Sequence, residues 1–277
     1  MKRYLSLAAA FGVGACSGAQ SVLNPSGDQA QSLASLLNLA SWISGIVYLL
    51  VLGFLGIGLW RASRAISKAD APTVDPSDRG MRKTLILWSG VIFVALTVLI
   101  VASFIADRKL AAARSTESLQ VRVTGHQWWW RLEYRDPATG AWIETANELH
   151  LPVGRTARIE LGSADVIHSF WVPNVAGKMD VIPGRINVID VTPRRVGWFR
   201  GQCAEFCGAQ HAHMAFDVKV DTQEQFDAWL AAQARGASAP QDATLARGAQ
   251  IFGTKCASCH AIRGTSAAGR AGPDLTH

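Results

Sequence analysis

Cys203-Ala-Glu-Phe-Cys207-Gly-Ala-Gln-His211-Ala-His-Met214 places two thiols, an imidazole and a thioether within twelve residues. The interval Cys-x3-Cys-x3-His-x2-Met sets all four side chains on one compact loop. Thiolate and thioether are soft donors that favour copper, and imidazole suits copper as well. A further candidate lies upstream in Asp165-Val-Ile-His168-Ser-Phe-Trp171. That stretch reads as a strand, so only the fold can bring His168 to the loop. Four readings are to be weighed at this point. Cys203 and Cys207 can pair as a disulfide in an oxidising compartment. A structural zinc site would take Cys and His but has no use for Met. A blue-copper centre uses one Cys rather than two, whereas two thiolates, two imidazoles, a thioether and a backbone carbonyl suffice for two copper ions bridged by sulfur.

Outward from the loop, residues 119–220 alternate short β-rich runs with turns. Among the runs are Leu119–Thr124, Trp128–Tyr134, Arg155–Leu161, Val166–Val172 and Ile186–Val191, and among the turns are Asp136–Gly140 and Pro183-Gly184. Many short strands in about a hundred residues indicate an antiparallel sandwich, and a rigid sandwich fixes ligand geometry that a free loop cannot. Trp128-Trp-Trp130 cannot all face inward, because side chains alternate across a strand. Trp128 and Trp130 are therefore expected on one face and Trp129 on the other. Thr222–Ala234 carries Phe226, Trp229 and Leu230 at helical spacing, with Asp221 or Thr222 as N-cap. Residues 106–234 thus form one domain, followed by a small polar linker at 235–243.

Upstream, two runs are long and apolar enough to span a hydrocarbon core: 36–60 and 84–105. Trp42, Tyr48, Trp60 and Trp88 lie at or just inside their ends, where an interfacial belt sits. The loop between them, 61–83, holds Arg61, Arg64, Lys68, Arg79, Arg82 and Lys83 against three Asp. Such short basic loops stay cytoplasmic, so residues 16–35 and everything after 105 are expected outside. Residues 1–15 read as a signal peptide: a basic start, a short apolar run and small residues before Cys16. Val13-Gly-Ala-Cys16 resembles a bacterial lipobox, in which the Cys carries lipid after cleavage. Signal and charge rule agree on an extracytoplasmic domain at a bacterial plasma membrane.

Downstream, Cys256-Ala-Ser-Cys259-His260 is the attachment signal for c-type haem. The thiols take the vinyl groups and His260 the proximal iron position. Thr244–Gly253 resembles the first helix of a small cytochrome c, and Gly272-Pro-Asp-Leu275 the segment that follows the haem motif. The Met residues are 1, 81, 179 and 214, none of them after His260. A shell for haem needs more than residues 244–277. The cytochrome is therefore expected to be incomplete here, the natural protein to continue, and otherwise water or His277 to take the sixth position.

The net charge of +6 is uneven: residues 1–105 carry +4, 106–234 carry −1 and 235–277 carry +3. No basic patch with interleaved aromatics appears, which speaks against nucleic acid. Of the five cysteines, Cys16, Cys203, Cys207, Cys256 and Cys259, each has a separate use, and none is left for a disulfide framework.

The loop, taken with Asp165-Val-Ile-His168-Ser and Gly125-His-Gln-Trp128-Trp-Trp-Arg131, resembles the CuA-containing subunit II of cytochrome c oxidase. The resemblance implies an α+β membrane protein: a transmembrane helical hairpin, a cupredoxin-like sandwich and the start of an all-α c-type cytochrome. It implies a binuclear copper centre held by His168, Cys203, Cys207, His211 and Met214, with Glu205 ligating through its carbonyl. The Glu205 carboxylate would face a magnesium shared with subunit I. Trp128 would be where electrons enter, and His213 a solvated or outer neighbour. The implied partners are subunits I and III, an external cytochrome c or other donor, and the membrane. The implied function is transfer of electrons from cytochrome c, through the fused haem and the copper pair, to subunit I, where oxygen is reduced and protons are pumped. Relatives often carry a Glu ahead of the Trp that matches Trp88, near a proton-uptake path, and Leu85 stands there in this chain, a departure that weakens the case for a proton role in this subunit. Lys178–Arg185 matches a region that packs on subunit I, with Met179 as packing. Rival readings are a nitrous oxide or nitric oxide reductase domain, a copper-free quinol oxidase subunit II and a copper-delivery module. The two spans, the complete ligand set, and the Trp128 motif with haem argue against these in turn.

Overall fold

The computed structural model describes residues 18–66, 78–112, 118–137 and 139–277. The signal peptide and Cys16 lie outside the described residues, as does 67–77, the middle of the expected cytoplasmic loop.

The first unit of structure is two long helices, α1 (Asp28–Ile66) and α2 (Asp78–Ala112). Both are long and apolar enough to cross a membrane, with mean hydropathy of 2.2 and 2.7 over their most apolar windows, and neither window is buried by protein. Trp42, Leu49, Phe93 and Ile100 are among the large side chains they leave exposed. A helix apolar all round needs either a protein core or hydrocarbon around it. Both helices overrun the apolar runs read from sequence at both ends. Asp28 opens α1, where an acidic group complements the helix dipole.

The second unit is a β-sandwich with ten strands among the described residues: β1 (Leu119–His126), β2 (Trp129–Arg135), β3 (Trp142–Ala146), β4 (Glu148–Pro152), β5 (Ala157–Ser163), β6 (His168–Trp171), β7 (Met179–Val181), β8 (Asn187–Val191), β9 (Gly197–Cys203) and β10 (Ala215–Asp221). One sheet runs β3-β2-β1-β5-β8 and the other β4-β10-β9-β6-β7. Alternation builds the core: Leu119, Val121 and Val123 of β1 point in with Ala157, Ile159 and Leu161 of β5, and meet Phe170, Phe199, Phe216 and Val218 of the facing sheet. Met179 packs on this core as expected.

The sandwich is not wholly antiparallel. β1 pairs parallel with β5, and β4 pairs parallel with β10. The chain leaves the first sheet after β3, lays down β4 in the second and returns as β5, so the returning strand runs the same way as β1. Alternation in sequence reports which side chains are buried, not which strand is the neighbour. The switch between sheets is one residue, Asn147, at φ 56°, a conformation Asn tolerates better than most. Its side-chain oxygen accepts from Trp130 N at 2.8 Å.

Helix α3 (Gln223–Gln233) starts at Thr222 with a capping box to Gln225 and buries Phe226 and Leu230. The connection at 234–242 is largely exposed, and Ala237 N–H donates to the Arg263 carbonyl at 2.9 Å. Helix α4 (Ala243–Lys255), capped by the Asp242 carboxylate, then leads to Cys256.

Candidate functional site

The pairing of β6 with β9 delivers the upstream histidine. Phe170 of β6 stands opposite Cys203 at the end of β9. His168 lies two residues before Phe170 and so on the same strand face, which carries its ring beside the Cys203 sulfur. The loop leaves β9 at Cys203, makes a 3-10 turn at His211–His213 and re-enters the sheet after Met214. Cys203 N–H donates to the Met214 carbonyl at 2.8 Å, closing the base of the loop.

Inside this loop the donor atoms converge. Cys203 Sγ lies 3.8 Å from Cys207 Sγ and 3.8 Å from His168 Nδ1. Cys207 Sγ lies 3.6 Å from His211 Nδ1 and 3.7 Å from Met214 Sδ. The Glu205 carbonyl oxygen is 3.2 Å from Cys203 Sγ, while the Glu205 side chain belongs to an exposed residue. His168 is fully buried, and Cys203, Cys207 and Met214 are nearly so. Both thiols are free, and their separation is far beyond the roughly 2.05 Å of a disulfide. His213 is exposed, in keeping with a place outside the donor set.

Hydrogen bonds fix the orientation of these donors. His168 Nε2 meets Asp165 Oδ1 at 2.8 Å, so an Nε2–H donating to the carboxylate leaves Nδ1 as a lone pair toward the sulfurs. Asp165 also accepts from Gln127 N and Val166 N, each at 2.7 Å. The Cys207 carbonyl accepts from Gln127 Nε2 at 2.8 Å and from Trp128 Nε1 at 3.1 Å. Gly125 is required by close approach: a Cβ there would come within 2.7 Å of the His168 ring. Gly208 has φ of +117°, and a Cβ there would press on the Trp128 indole at 3.2 Å.

Electrostatics separates the two thiols. Burial alone raises the Cys203 thiol, but its bonds with His168 and nearby backbone groups outweigh that and bring it well below the usual thiol range. Burial, then the charge of Cys203, push Cys207 up. Burial lowers His168, yet Cys203 and Asp165 together leave it raised. Two sulfurs, a thioether, two ring nitrogens and a carbonyl fit copper rather than a hard cation.

Trp128 corrects the strand reading. It sits in the turn between β1 and β2, after a cis Gln127–Trp128 peptide, and is only half-buried. The strand begins at Trp129, so Trp128 shares no strand face with Trp130. Trp130 is fully buried, edge-on to His168, Phe170 and Phe216. Trp129 takes the opposite face and stacks on His126 at 4.5 Å.

The second cluster lies at the end of α4. Cys256 and Cys259 are free. His260 Nδ1 meets the Pro273 carbonyl at 2.8 Å, so an Nδ1–H donating there leaves Nε2 available to a metal. Helix α4 buries none of its residues, and Leu245 and Ile251 are more than half exposed. An apolar groove of about 450 Å³ opens along it, lined by Pro240, Leu245, Phe252 and Ile262 among others. Two free thiols, an oriented imidazole and an uncovered apolar helix face fit a covalently attached haem. His277 Nε2 meets the Arg235 carbonyl at 2.8 Å.

Sequence reasoning left out Asp165 as the partner of His168 and Gln127 as a clamp on the loop. The first was legible in principle, since Asp165 stands three residues before His168. The second was not, because Gln127 and Cys207 are eighty residues apart.

Comparison with known proteins follows the same division. The family model described as cytochrome C oxidase subunit II, periplasmic domain, matches residues 136–221, and a cytochrome c model matches 245–277. Cytochrome c oxidase subunit 2 of Alkalihalophilus pseudofirmus is 30% identical over 261 residues, covering 92% of this chain and 74% of that protein. Its counterpart from Bacillus sp. (strain PS3) is 33% identical over 210 residues, covering 70% of this chain and 58% of that one, so the present chain spans little more than half of it. Among solved structures, the periplasmic domain of subunit II of cytochrome oxidase (CoxB) of Bradyrhizobium japonicum aligns at 32% identity with a TM-score of 0.39, covering 42% of this chain and 92% of that domain. On the identity and coverage with the first of these relatives, the chain belongs to the cytochrome c oxidase subunit 2 family.

Proposed function

We propose that this chain takes electrons from a cytochrome c, by way of its own haem-binding segment, and delivers them to subunit I of a haem-copper oxidase. The observation that carries this reading is the convergence of Cys203, Cys207, His168, His211 and Met214 at separations of 3.6–3.8 Å around the Cys203–Cys207 pair. A copper pair held by these residues, and a haem held by Cys256, Cys259 and His260, supply one-electron redox chemistry when bound. The protein's part is position and electrostatics. The sandwich holds the donors in place, and Asp165 sets the His168 tautomer. Bonds from Gln127 and Trp128 pin the Cys207 carbonyl, and the half-buried Trp128 ring spans from that carbonyl toward solvent, which suits it as the point where electrons enter.

In this reading α1 and α2 anchor the subunit in a bacterial plasma membrane with the sandwich outside. Cys16 carries lipid, the Glu205 carboxylate faces a magnesium at the subunit I boundary, and subunit III completes the complex. Oxygen reduction and proton translocation belong to subunit I.

The test is a purified complex with Cys207→Ser. Loss of oxygen uptake driven by reduced cytochrome c, with subunit I and covalent haem still present, is expected. Undiminished uptake would remove the loop from the electron path.

A further inference from the structure

Alternation along β2 puts Trp129, Arg131 and Glu133 on the outer face of the first sheet, away from the core. On neighbouring β3, Glu144 stands directly opposite Glu133. Two carboxylates opposed across a strand pair repel unless cations meet them. One cation is local: Arg131 Nε lies 3.4 Å from Glu144 Oε1, with both side chains about four-fifths buried. The segment that follows the haem motif meets the same face: its Arg270 acts on the Glu144 carboxyl, while its Arg263 pairs within the segment with Asp274. Arg131 Nη2 reaches the Arg270 carbonyl at 3.5 Å, and Arg263 lies 3.4 Å from Asp274. Burial raises the Glu144 carboxyl, and Arg131, Glu133, Asp274 and Arg270 all act on it, so these charges form one cluster.

The contact is hollow. A crevice of about 420 Å³ between sheet and segment is lined by Glu133, Trp142, Glu144, Arg263, Arg270 and Asp274, among others. Arg131 Nε and Arg263 Nε are buried yet hold their carboxylates only at ion-pair distance, without a hydrogen bond. Charged, unfilled contacts between parts of one chain are the mark of a surface that opens and closes, whereas permanent ones are apolar and tightly packed. Neither Trp128 nor any residue of 203–214 lines this crevice or the smaller one beside it.

We propose that the outer face of the first sheet, around Arg131, Glu133 and Glu144, is a reversible electrostatic dock for the chain's own haem-binding segment. Docked there, the segment lies on the Trp129 side and leaves the Trp128 face uncovered. Arg131 is the positioning residue, because it touches Glu144, the Trp129 ring face at 5.3 Å and the segment together. Only the nature of the cargo rests on the haem reading; the dock is made by protein groups.

The test uses the full chain in detergent carrying R270K, which keeps the charge and supplies an amine. A carbodiimide, which joins an amine to a carboxylate in contact with it, is applied, and linked peptides are identified by mass spectrometry. Links from position 270 to Glu133 or Glu144 are expected at low salt. They should fall severalfold at about 1 M salt, where the screening length drops from about 10 Å to about 3 Å, and fall likewise in R270K with Arg131→Ala. No link at low salt, or a yield indifferent to salt, overturns the dock or its reversibility. Should the Arg131 variant fail to fold, the salt series on R270K alone decides. The intact mass, with or without an added haem, reports the haem reading separately.

Discussion

Asp165→Asn isolates what the residue beyond the donor set contributes. The Asp165 carboxylate accepts from His168 Nε2 at 2.8 Å, Gln127 N at 2.7 Å and Val166 N at 2.7 Å. These bonds outweigh burial and hold its carboxyl below the ordinary carboxylate range. Asn keeps the size but has one acceptor oxygen in place of two. It also loses the charge that favours an Nε2–H on His168. The imidazole then samples the tautomer in which Nδ1 carries the proton, and that tautomer has no lone pair for a metal at Nδ1. Losing such a partner typically costs about 10–100-fold in metal affinity, equivalent to roughly 1.4–2.7 kcal/mol. The assay is competition for copper between the chain and a chelator of known affinity, with covalent haem as an internal control. The variant should bind copper about 10–100-fold more weakly with haem unchanged. Affinity equal to the parent would refute the role given to Asp165 and the tautomer assigned to His168.

Trp130→Ala should be far more costly to the fold, about 3–5 kcal/mol, because Trp130 is fully buried against His168, Phe170 and Phe216; a denaturant midpoint within error of the parent would contradict the packing. Gly208→Ala forces a side chain into φ +117° and against the Trp128 indole, so tryptophan fluorescence should report a displaced Trp128, and an unchanged spectrum would count against the contact. At the far end of the sandwich, buried His150 lies between Asp221 at 2.6 Å and Glu148 at 2.9 Å. The bond to His150 outweighs burial and lowers the Glu148 carboxyl from its ordinary 4.5. A lowered folded value means stabilisation that is complete above the unfolded value and is lost as pH falls through the folded one. The stability gap between the parent and Glu148→Gln should therefore close on acidification below about pH 4.5, and a gap independent of pH would refute the pairing.

Much of the site was legible because its donors are close in sequence. Cys203, Cys207, His211 and Met214 fall on one loop, and composition alone separated them from zinc and blue copper. His168 was legible only as a candidate, since its approach depends on Phe170 pairing with Cys203, and strand partners leave no mark on alternation. The same limit hid the parallel pairs β1–β5 and β4–β10. Three consecutive tryptophans invited a single-strand reading, yet the chain turns at Gln127–Trp128, so the polar tip of Trp128 bonds the loop and its neighbours enter the strand. The sequence places residues 16–35 outside the membrane and assigns them no partners. In the structure, fully buried Asn174 accepts from Ser21 N and donates to the Gly18 and Asn24 carbonyls, while Arg194 grips Asp28 at 2.6 Å through two nitrogens. Nothing local in residues 18–28 announces partners some 150 residues away.

The central claim is that the loop holds a pair of copper ions that share an electron. It is tested most directly by metal analysis and electron paramagnetic resonance on the intact chain matured in a periplasm. Two coppers per chain, one unpaired electron spread over both nuclei, and one covalent haem are expected. A single copper with its electron on one nucleus, or haem with no copper at all, would contradict it and withdraw His168, Cys203, Cys207, His211 and Met214 as a ligand set.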